Sequence, residues 1–213
     1  MIQAVAELFQ TGGVWMWPIL VVAIFGVAIT LERLYQLLFA FNVNGEKFFS
    51  EVKRAVLADK VNDAIKLCDE APLPSIVKAG LIASSRGADH AQRAMDEAAL
   101  QAIPKIEKRT HYLSMVANVS TLLGLLGTIF GLIVAFKAVA IADPGEKANE
   151  LARGISIAMS TTAFGLIVAI PIMMIFAYLQ AKSTKLIDEI DEYSLKSLHL
   201  IQSLDASKRG QGE

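Results

Sequence analysis

Two long, apolar stretches without charged side chains restrict the folds that this chain can adopt. Residues 111–136 and 154–181 contain no Asp, Glu, Lys or Arg over 26 and 28 positions. About 20 apolar residues are enough to cross the hydrocarbon core of a bilayer as a helix. A soluble helix of this length would show a polar face, which neither stretch has. Both stretches are therefore predicted to span a membrane.

The N-terminal part of the chain predicts a third span. Residues 12–31 are apolar, and weaker apolar character continues to residue 41. The residues before this run include no Lys or Arg, whereas a cleaved signal peptide needs a basic n-region. Trp15 and Trp17 lie at the start of the run, as in the aromatic belt of a transmembrane helix. Residues 1–41 are interpreted as an N-terminal segment followed by the first span.

The distribution of basic residues predicts the orientation of the spans. Twelve Lys and Arg lie between residues 33 and 109, five lie from residue 182 onward, and only three lie between the second and third spans. Basic residues favour the cytoplasmic side. The N-terminus and the turn 137–153 are therefore predicted to lie outside, and the loop 42–110 and the tail 182–213 in the cytoplasm. The membrane expected is one of the cytoplasmic type.

The predicted cytoplasmic segments show helical patterns. Apolar residues recur at helical spacing in both segments, between charged residues. Pro72, Pro74 and Gly87 interrupt the pattern in the first segment. The fold predicted is an all-α membrane protein whose three transmembrane helices, the last two within residues 111–181, extend into the cytoplasm.

The composition argues against several classes of function. Hydrophobic residues make up 54% of the chain and charged residues 19%, and the net charge of −1 disfavours a nucleic-acid partner. The single cysteine, Cys68, excludes an intrachain disulfide and a cysteine-rich metal site, and is expected to be a packed or half-exposed thiol. Three scattered histidines make a metal site improbable. We expect no enzyme activity and no cofactor, because no nucleophile–base pair or phosphate loop is present.

Small and hydroxyl residues recur along one predicted face of each of the last two spans. The second span has Ala117, Thr121, Gly124, Thr128, Gly131 and Ala135; the third has Gly154, Ala158, Thr161, Gly165 and Ala169, flanked by Ser160 and Thr162. Close helix packing explains the glycines and alanines whatever the function, and hydroxyls can bond back to their own helix. Three consecutive hydroxyls cannot all face one neighbour, so at least one should face another helix, a cavity or a partner. Pro171 is expected to bend the third span.

No Asp, Glu, Lys, Arg or His lies in the middle of any predicted span. Because ion routes through membranes are marked by ionisable groups at depth, the chain alone should be a poor proton carrier. If it conducts protons, another chain must supply a carboxylate, and the hydroxyls would line its surroundings. The candidate ion-pathway residues are Thr121, Thr128, Ser160, Thr161 and Thr162, and the candidate packing residues are Gly124, Gly127, Gly131, Gly154, Gly165 and Pro171.

Several motifs resemble those of a known family. They are ERL at residues 32–34, GLLGTIFG at 124–131, GI at 154–155, TTAFGL at 161–166 and AIP at 169–171. With the order of the spans and the long loop after the first, they make the chain similar to the TolQ/ExbB/MotA inner-membrane ion-channel subunits. The length suits the TolQ/ExbB branch. The resemblance covers nearly the whole chain.

The resemblance implies a motor subunit of a bacterial inner membrane, with the N-terminus and the turn 137–153 in the periplasm. It implies a homo-pentamer enclosing a dimer of a single-span partner like ExbD, TolR or MotB, whose helix carries an aspartate facing threonines that match Thr128 and Thr162. The expected function is to couple the proton motive force to mechanical work in the cell envelope. Three kinds of work remain open as alternatives: uptake, envelope constriction and motility. Within that picture, Gly127→Leu is expected to block assembly of the pentamer.

One position departs from the family pattern and leaves two alternatives open. ExbB and TolQ usually have a glutamate where this chain has Ile157, although the flagellar branch manages without it. The hydroxyls of Ser160 and Thr161 make a sodium-driven variant conceivable, because hydroxyl oxygens can coordinate a hard cation. The alternative function is a non-conducting oligomeric scaffold that anchors a periplasmic complex. A scaffold should tolerate Thr→Val at position 128 or 162, and a conduit should not.

Overall fold

The computed structural model describes residue 9 and residues 11–58 and 60–210, with side chains described up to residue 204. The described residues form helices and connecting turns, with no strand among them. We number the α-helices α1 to α7. They are α1 (Met16–Tyr35), α2 (Gly45–Leu57), α3 (Val61–Lys66), α4 (Pro72–Ala83), α5 (Ala88–Glu107), α6 (Thr110–Ile141) and α7 (Lys147–Gly210). A 3-10 turn (Gly13–Trp15) precedes α1, a π-helical turn (Gln36–Ala40) follows it, and a second 3-10 turn (Ser84–Arg86) follows α4.

Three helical stretches are long and apolar enough to cross a membrane. They are Gly13–Leu57, Ala88–Ile141 and Lys147–Leu204. The most apolar 18-residue segment of each has a mean hydropathy of 2.3, 2.2 and 2.3, respectively. Each contains one of the runs predicted from the sequence. The prediction of an all-α membrane protein with three spanning helices is confirmed.

The chain divides into two compact units. The first comprises Met1–Arg33 and Arg109–Tyr178, and the second Leu34–Lys108 and Leu179–Glu213. In the first unit, α1 lies against both α6 and α7. A Cβ placed on Gly26 of α1 would lie 2.9 Å from Cγ1 of Val116 and 2.5 Å from Cδ1 of Ile172. The absence of a side chain at Gly26 is what permits this approach.

Aromatic and apolar side chains pack the start of α1 into the first unit. Met16 and Ile19 are fully buried and form a cluster with Phe164 of α7. Trp15 stacks on Phe130 of α6, with ring centroids 4.8 Å apart. Trp15, one of the two tryptophans that marked the start of the first span in the sequence, therefore also connects it to the second span.

The second unit has its own apolar core. Within it, α4 packs most extensively on α5, and Ile76, Val77 and Met95 are among the buried side chains. Cys68 is buried as well, and its thiol donates to the carbonyl oxygen of Ala64 at 3.3 Å. Burial raises the pKa of the Cys68 thiol to about 11. The thiol is thus a packed group.

Helix boundaries agree with the sequence pattern at Pro72 and Gly87 and depart from it around the turn 137–153. Pro72 begins α4, because the first helical position needs no N–H donor. Gly87 separates α4 from α5 with a φ of 107°, a backbone conformation that favours glycine. Helices α6 and α7 run further than expected, so that only Ala142–Glu146 of the predicted turn 137–153 lies outside them. Helix α7 is continuous through Pro171.

Candidate ion-pathway site

The candidate site is built on the antiparallel pair that α6 and α7 form in the first unit. Small residues on one helix meet small residues on the other at successive turns. A Cβ added to Gly131 would lie 3.0 Å from Cα of Ala158, and one added to Gly127 would lie 2.7 Å from Cβ of Thr161. These glycines allow the two backbones to approach closely, as small residues do in membrane helices.

The same close approach continues at both ends of the pair. At one end, Gly154 of α7 faces Ala135 of α6 with no room for a side chain. Toward the other end, a Cβ on Gly165 would lie 2.7 Å from the carbonyl oxygen of Ser120 and 3.1 Å from Cα of Gly124. The five candidate packing glycines of the two helices therefore all lie in the contact between α6 and α7 of one chain. Pro171, the sixth candidate packing residue, is exposed.

The buried face of α6 differs from the predicted face at two turns. The sequence pattern placed Thr121 and Thr128 in line with the glycines. In the structure the buried positions at these turns are Ser120 and Gly127, while Thr121 is exposed and Thr128 is half-buried. A helix has 3.6 residues per turn, so steps of three and of four are equally compatible with one face. Packing against Thr161 selects Gly127, the smaller residue.

Three of the candidate threonines bond back to their own helix. The hydroxyl of Thr121 donates to the carbonyl oxygen of Ala117 at 3.1 Å. The hydroxyl of Thr128 donates to Leu125 at 2.6 Å, and that of Thr161 donates to Ala158 at 2.7 Å. Such bonds satisfy the hydroxyl in an apolar medium without help from another helix.

Thr162 behaves differently, because its hydroxyl crosses to the neighbouring helix. Oγ1 of Thr162 donates to the carbonyl oxygen of Gly124 at 3.0 Å. The lack of a side chain on Gly124 allows this bond, since a Cβ there would lie only 3.2 Å from Cα of Thr162. Thr162 is half-buried, so part of its side chain remains accessible beside the pair.

The other two hydroxyls of the site are buried. Ser160 is 7% exposed and Thr161 is inaccessible, so the run of three hydroxyls presents only Thr162 as a half-buried group. Ser120, which the sequence analysis did not single out, is inaccessible, and its hydroxyl has no hydrogen-bond partner among the described residues. One hydroxyl is thus left unsatisfied toward one end of the α6–α7 contact.

An ion pair ties the far end of α1 to the start of α6 in the first unit. Nη1 of Arg109 lies 2.7 Å from both carboxylate oxygens of Glu32. Arg109 has a φ of 63° and precedes α6, so it holds a left-handed conformation that non-glycine residues rarely adopt. Neither this conformation nor the carbonyl partner of Thr162 leaves a signal in the sequence, and both were missed.

Comparisons with known proteins agree with the motifs of the site. A model described as the MotA/TolQ/ExbB proton channel family matches residues 69–192, more than half of the chain. The biopolymer transport protein exbB1 of Vibrio cholerae is 29% identical over 175 residues, which cover 79% of this chain and 76% of the relative. The Tol-Pal system protein TolQ of Haemophilus influenzae is 39% identical over 84 residues, 39% of this chain and 36% of the relative. A protein of Methanothermobacter thermautotrophicus named as an ExbB homolog is 26% identical over 190 residues, 88% of this chain and 67% of the relative.

Proposed function

This chain belongs to the MotA/TolQ/ExbB proton channel family, and we propose that it is the ion-conducting subunit of a motor in a bacterial inner membrane. The motor would couple the proton motive force to mechanical work in the cell envelope. The chain would act as a homo-pentamer around a single-span partner of the ExbD/TolR type, which brings an aspartate into the membrane. The observation that carries the proposal is the hydrogen bond from the hydroxyl of Thr162 to the carbonyl oxygen of Gly124. It holds a half-buried hydroxyl beside a tightly packed helix pair that has no carboxylate of its own.

The charges of the membrane segments support a conduit completed by a second chain. Residues 12–31, 111–136 and 154–181 contain no Asp, Glu, Lys or Arg. A titratable group at depth is the usual mark of a proton route. Hydroxyls beside a helix pair can solvate a carboxyl group but cannot replace it. A partner with an intramembrane carboxyl would supply the missing group.

The exposed apolar surface of the first unit supports assembly with lipid and with other chains. Large apolar side chains remain exposed on all three helices, among them Phe25 on α1, Leu122 on α6 and Met174 on α7, at 62%, 62% and 69%. An apolar surface that surrounds the helices is suited to lipid tails and to neighbouring spans.

The distribution of basic residues supports the proposed orientation. Seventeen of the 20 Lys and Arg fall in the segments 33–109 and 182–213, and three fall in the segment between the second and third spans. The positive-inside rule then gives a periplasmic N-terminus and a cytoplasmic C-terminus. Residues 42–110 and 182–213 would be the cytoplasmic part of the subunit.

The experiment that separates a conduit from a passive scaffold uses valine substitutions. Thr162→Val removes the bond to Gly124 with little change in volume, and Thr184→Val is the matched control. Thr184 is exposed in the second unit, and its hydroxyl donates to the carbonyl of Gln180 at 3.1 Å. The readouts are proton flux into liposomes and the amount of complex recovered with the single-span partner.

A conduit predicts that Thr162→Val assembles normally and loses flux by about fivefold, since a lost hydrogen bond is worth about 1 kcal/mol. Thr184→Val should conduct as the unmodified chain does. Normal output from the Thr162→Val complex would instead favour the scaffold. Sodium flux measured in the same liposomes tests the ion, because a sodium-driven subunit would carry sodium and a proton-driven one would not.

A further inference from the structure

The four threonines of the candidate pathway all use their hydroxyl groups in the same way. Each of them, at positions 121, 128, 161 and 162, has its hydroxyl oxygen within 3.1 Å of a backbone carbonyl oxygen. A carbonyl oxygen carries no proton, so the hydroxyl is the donor in all four bonds. A hydroxyl has a single proton to donate and two lone pairs with which to accept. All four protons are therefore committed to the backbone.

Because these protons are already donated to the backbone, the hydrogen bonds that the site can still form determine which groups it can bind. Thr161 is inaccessible, but the lone pairs of the other three oxygens remain available to a donor, such as water or a protonated carboxyl group. A carboxylate anion only accepts hydrogen bonds, so these four hydroxyls can offer it nothing unless an existing bond breaks. In an apolar medium a broken bond leaves the carbonyl unsatisfied, which is unfavourable.

We propose that the three accessible threonines of this set, Thr121, Thr128 and Thr162, form an acceptor-only surface, which receives a partner's carboxyl group in its protonated, neutral form and disfavours the carboxylate anion. The carbonyl of Gly124 acts as the positioning group, because it holds the proton of Thr162. This inference rests on the proposed function, in which a second chain brings a carboxyl group to the site. It adds the protonation state in which that group is accepted and the residues that select it.

Other ionisable groups lie at the ends of the membrane segments that form the site. On α6 they are His111 and Tyr112 at one end and Lys137 at the other; on α7 they are Arg153 and Tyr178, and on α1 they are Glu32 and Arg33. Between these ends the three helices carry no Asp, Glu, Lys, Arg or His. The partner's carboxyl would be the titrating group at the depth of the threonines, so its titration reports on the hydroxyls around it.

The test replaces one threonine with three residues of different hydrogen-bonding capacity. At position 162, serine keeps one donor and its acceptors, valine removes both, and asparagine adds an amide with two N–H donors. With one N–H on the Gly124 carbonyl, the second N–H of asparagine can bond a carboxylate. Dicyclohexylcarbodiimide, which reacts with protonated carboxyl groups in membranes, is applied to the complex with its co-purifying single-span partner over a range of pH.

The expected result is an ordered series of labelling midpoints. Thr162→Ser should match the unmodified complex, and Thr162→Val should label with a lower midpoint because the neutral carboxyl loses an acceptor. Thr162→Asn should lower the midpoint furthest, by at least about one pH unit, since a hydrogen bond to a charged group is worth about 1.5 kcal/mol or more. Thr184→Asn, outside the site, should leave the midpoint unchanged.

Two further comparisons distinguish a failure of this inference from a failure of the proposed function. If Thr162→Asn does not assemble, Thr128→Asn takes its place, because Thr128 is half-buried and bonds only within its own helix. A labelled carboxyl whose midpoint is the same in the Asn and Ser variants would overturn the acceptor-only surface while leaving the conduit intact. A complex in which the unmodified chain conducts no protons and contains no reactive carboxyl would overturn both.

Discussion

Arg109 donates to both carboxylate oxygens of Glu32 at 2.7 Å while its own backbone holds a φ of 63°. The ion pair opposes an unfavourable conformation at the residue where α6 begins. A left-handed conformation costs a non-glycine residue about 1–2 kcal/mol, whereas a partly exposed ion pair contributes about 1 kcal/mol or less. The two contributions are similar in size and opposite in sign, and substitutions at Arg109 can separate them.

Arg109→Ala and Arg109→Gly should differ in stability although both remove the ion pair. Alanine keeps the backbone cost, whereas glycine adopts positive φ freely. We therefore expect Arg109→Ala to lower the melting temperature in detergent and Arg109→Gly to leave it near that of the unmodified chain, a difference of about 1 kcal/mol. Equal melting temperatures for the two variants would contradict a strained backbone at this residue.

Glycines in the α6–α7 contact should be far less tolerant of a methyl group than a glycine outside it. Gly127→Ala places its Cβ 2.7 Å from that of Thr161, and Gly131→Ala places its Cβ 3.0 Å from Ala158. Gly145 has nothing within 4 Å of an added Cβ, which makes Gly145→Ala the matched control. Overpacking typically costs about 1–3 kcal/mol, so thermal unfolding should rank Gly127→Ala as the least stable of the three.

The larger change Gly127→Leu follows from the same geometry. It was predicted from the sequence to block a pentamer, and its effect on the pentamer stays a prediction. The structure adds that Gly127 faces Thr161 of its own chain, so the substitution should first separate α6 from α7. Gly145→Leu, which adds the same side chain where nothing lies within 4 Å of the Cβ, is the control. A lower melting temperature for Gly127→Leu than for Gly145→Leu is expected, and equal melting temperatures would argue against the separation.

Removing the hydroxyl of Ser120 should not destabilise the chain. This side chain is inaccessible, and its oxygen has no hydrogen-bond partner within the described part of the chain. Because an unsatisfied buried hydroxyl costs about 1–3 kcal/mol, Ser120→Ala is expected to leave the melting temperature unchanged or raise it. A clear fall would show that the hydroxyl has a partner in the assembled complex, such as a bound water or another chain.

The Cys68 thiol should react slowly, and its titration should lower the stability of the fold at high pH. Burial raises its pKa from 9.0 to about 11, so at pH 8 the thiolate population is about a hundredfold lower than in an exposed thiol. Because the folded pKa lies above the unfolded one, this contribution to stability is present below pH 9 and is lost as the pH rises toward 11. The rate of alkylation by N-ethylmaleimide, compared between the native and the unfolded chain, measures the reactivity of the thiol. Equal rates would contradict a buried thiol with a raised pKa.

The sequence predicted the large features of this molecule because those features depend on composition. Uncharged runs of 26 and 28 residues have few alternatives to a membrane helix. The helix ends were harder to place: the turn 137–153 contains Lys137, Lys147 and Arg153, which suggested a loop. Polar residues are compatible with helix, however, and α6 and α7 continue to within five residues of each other.

The candidate site was predictable in its residue types and not in its hydrogen bonds. The pattern identified Thr128 and Thr162, but it could not choose between Thr128 and Gly127 for the buried face, because both fit a period of 3.6. The acceptor of the Thr162 hydroxyl is a backbone carbonyl on another helix, and every residue carries such a carbonyl, so the residue types do not indicate which one is used. Only the close approach at Gly124 selects it.

Proton flux through the chain with and without its single-span partner tests most directly whether the conduit is completed by a second chain. The chain alone and the complex would be reconstituted in liposomes at equal protein density, under the same imposed pH gradient and membrane potential. We expect flux from the complex only, because the three membrane segments contain no carboxylate of their own. Equal flux from the chain alone would contradict this account.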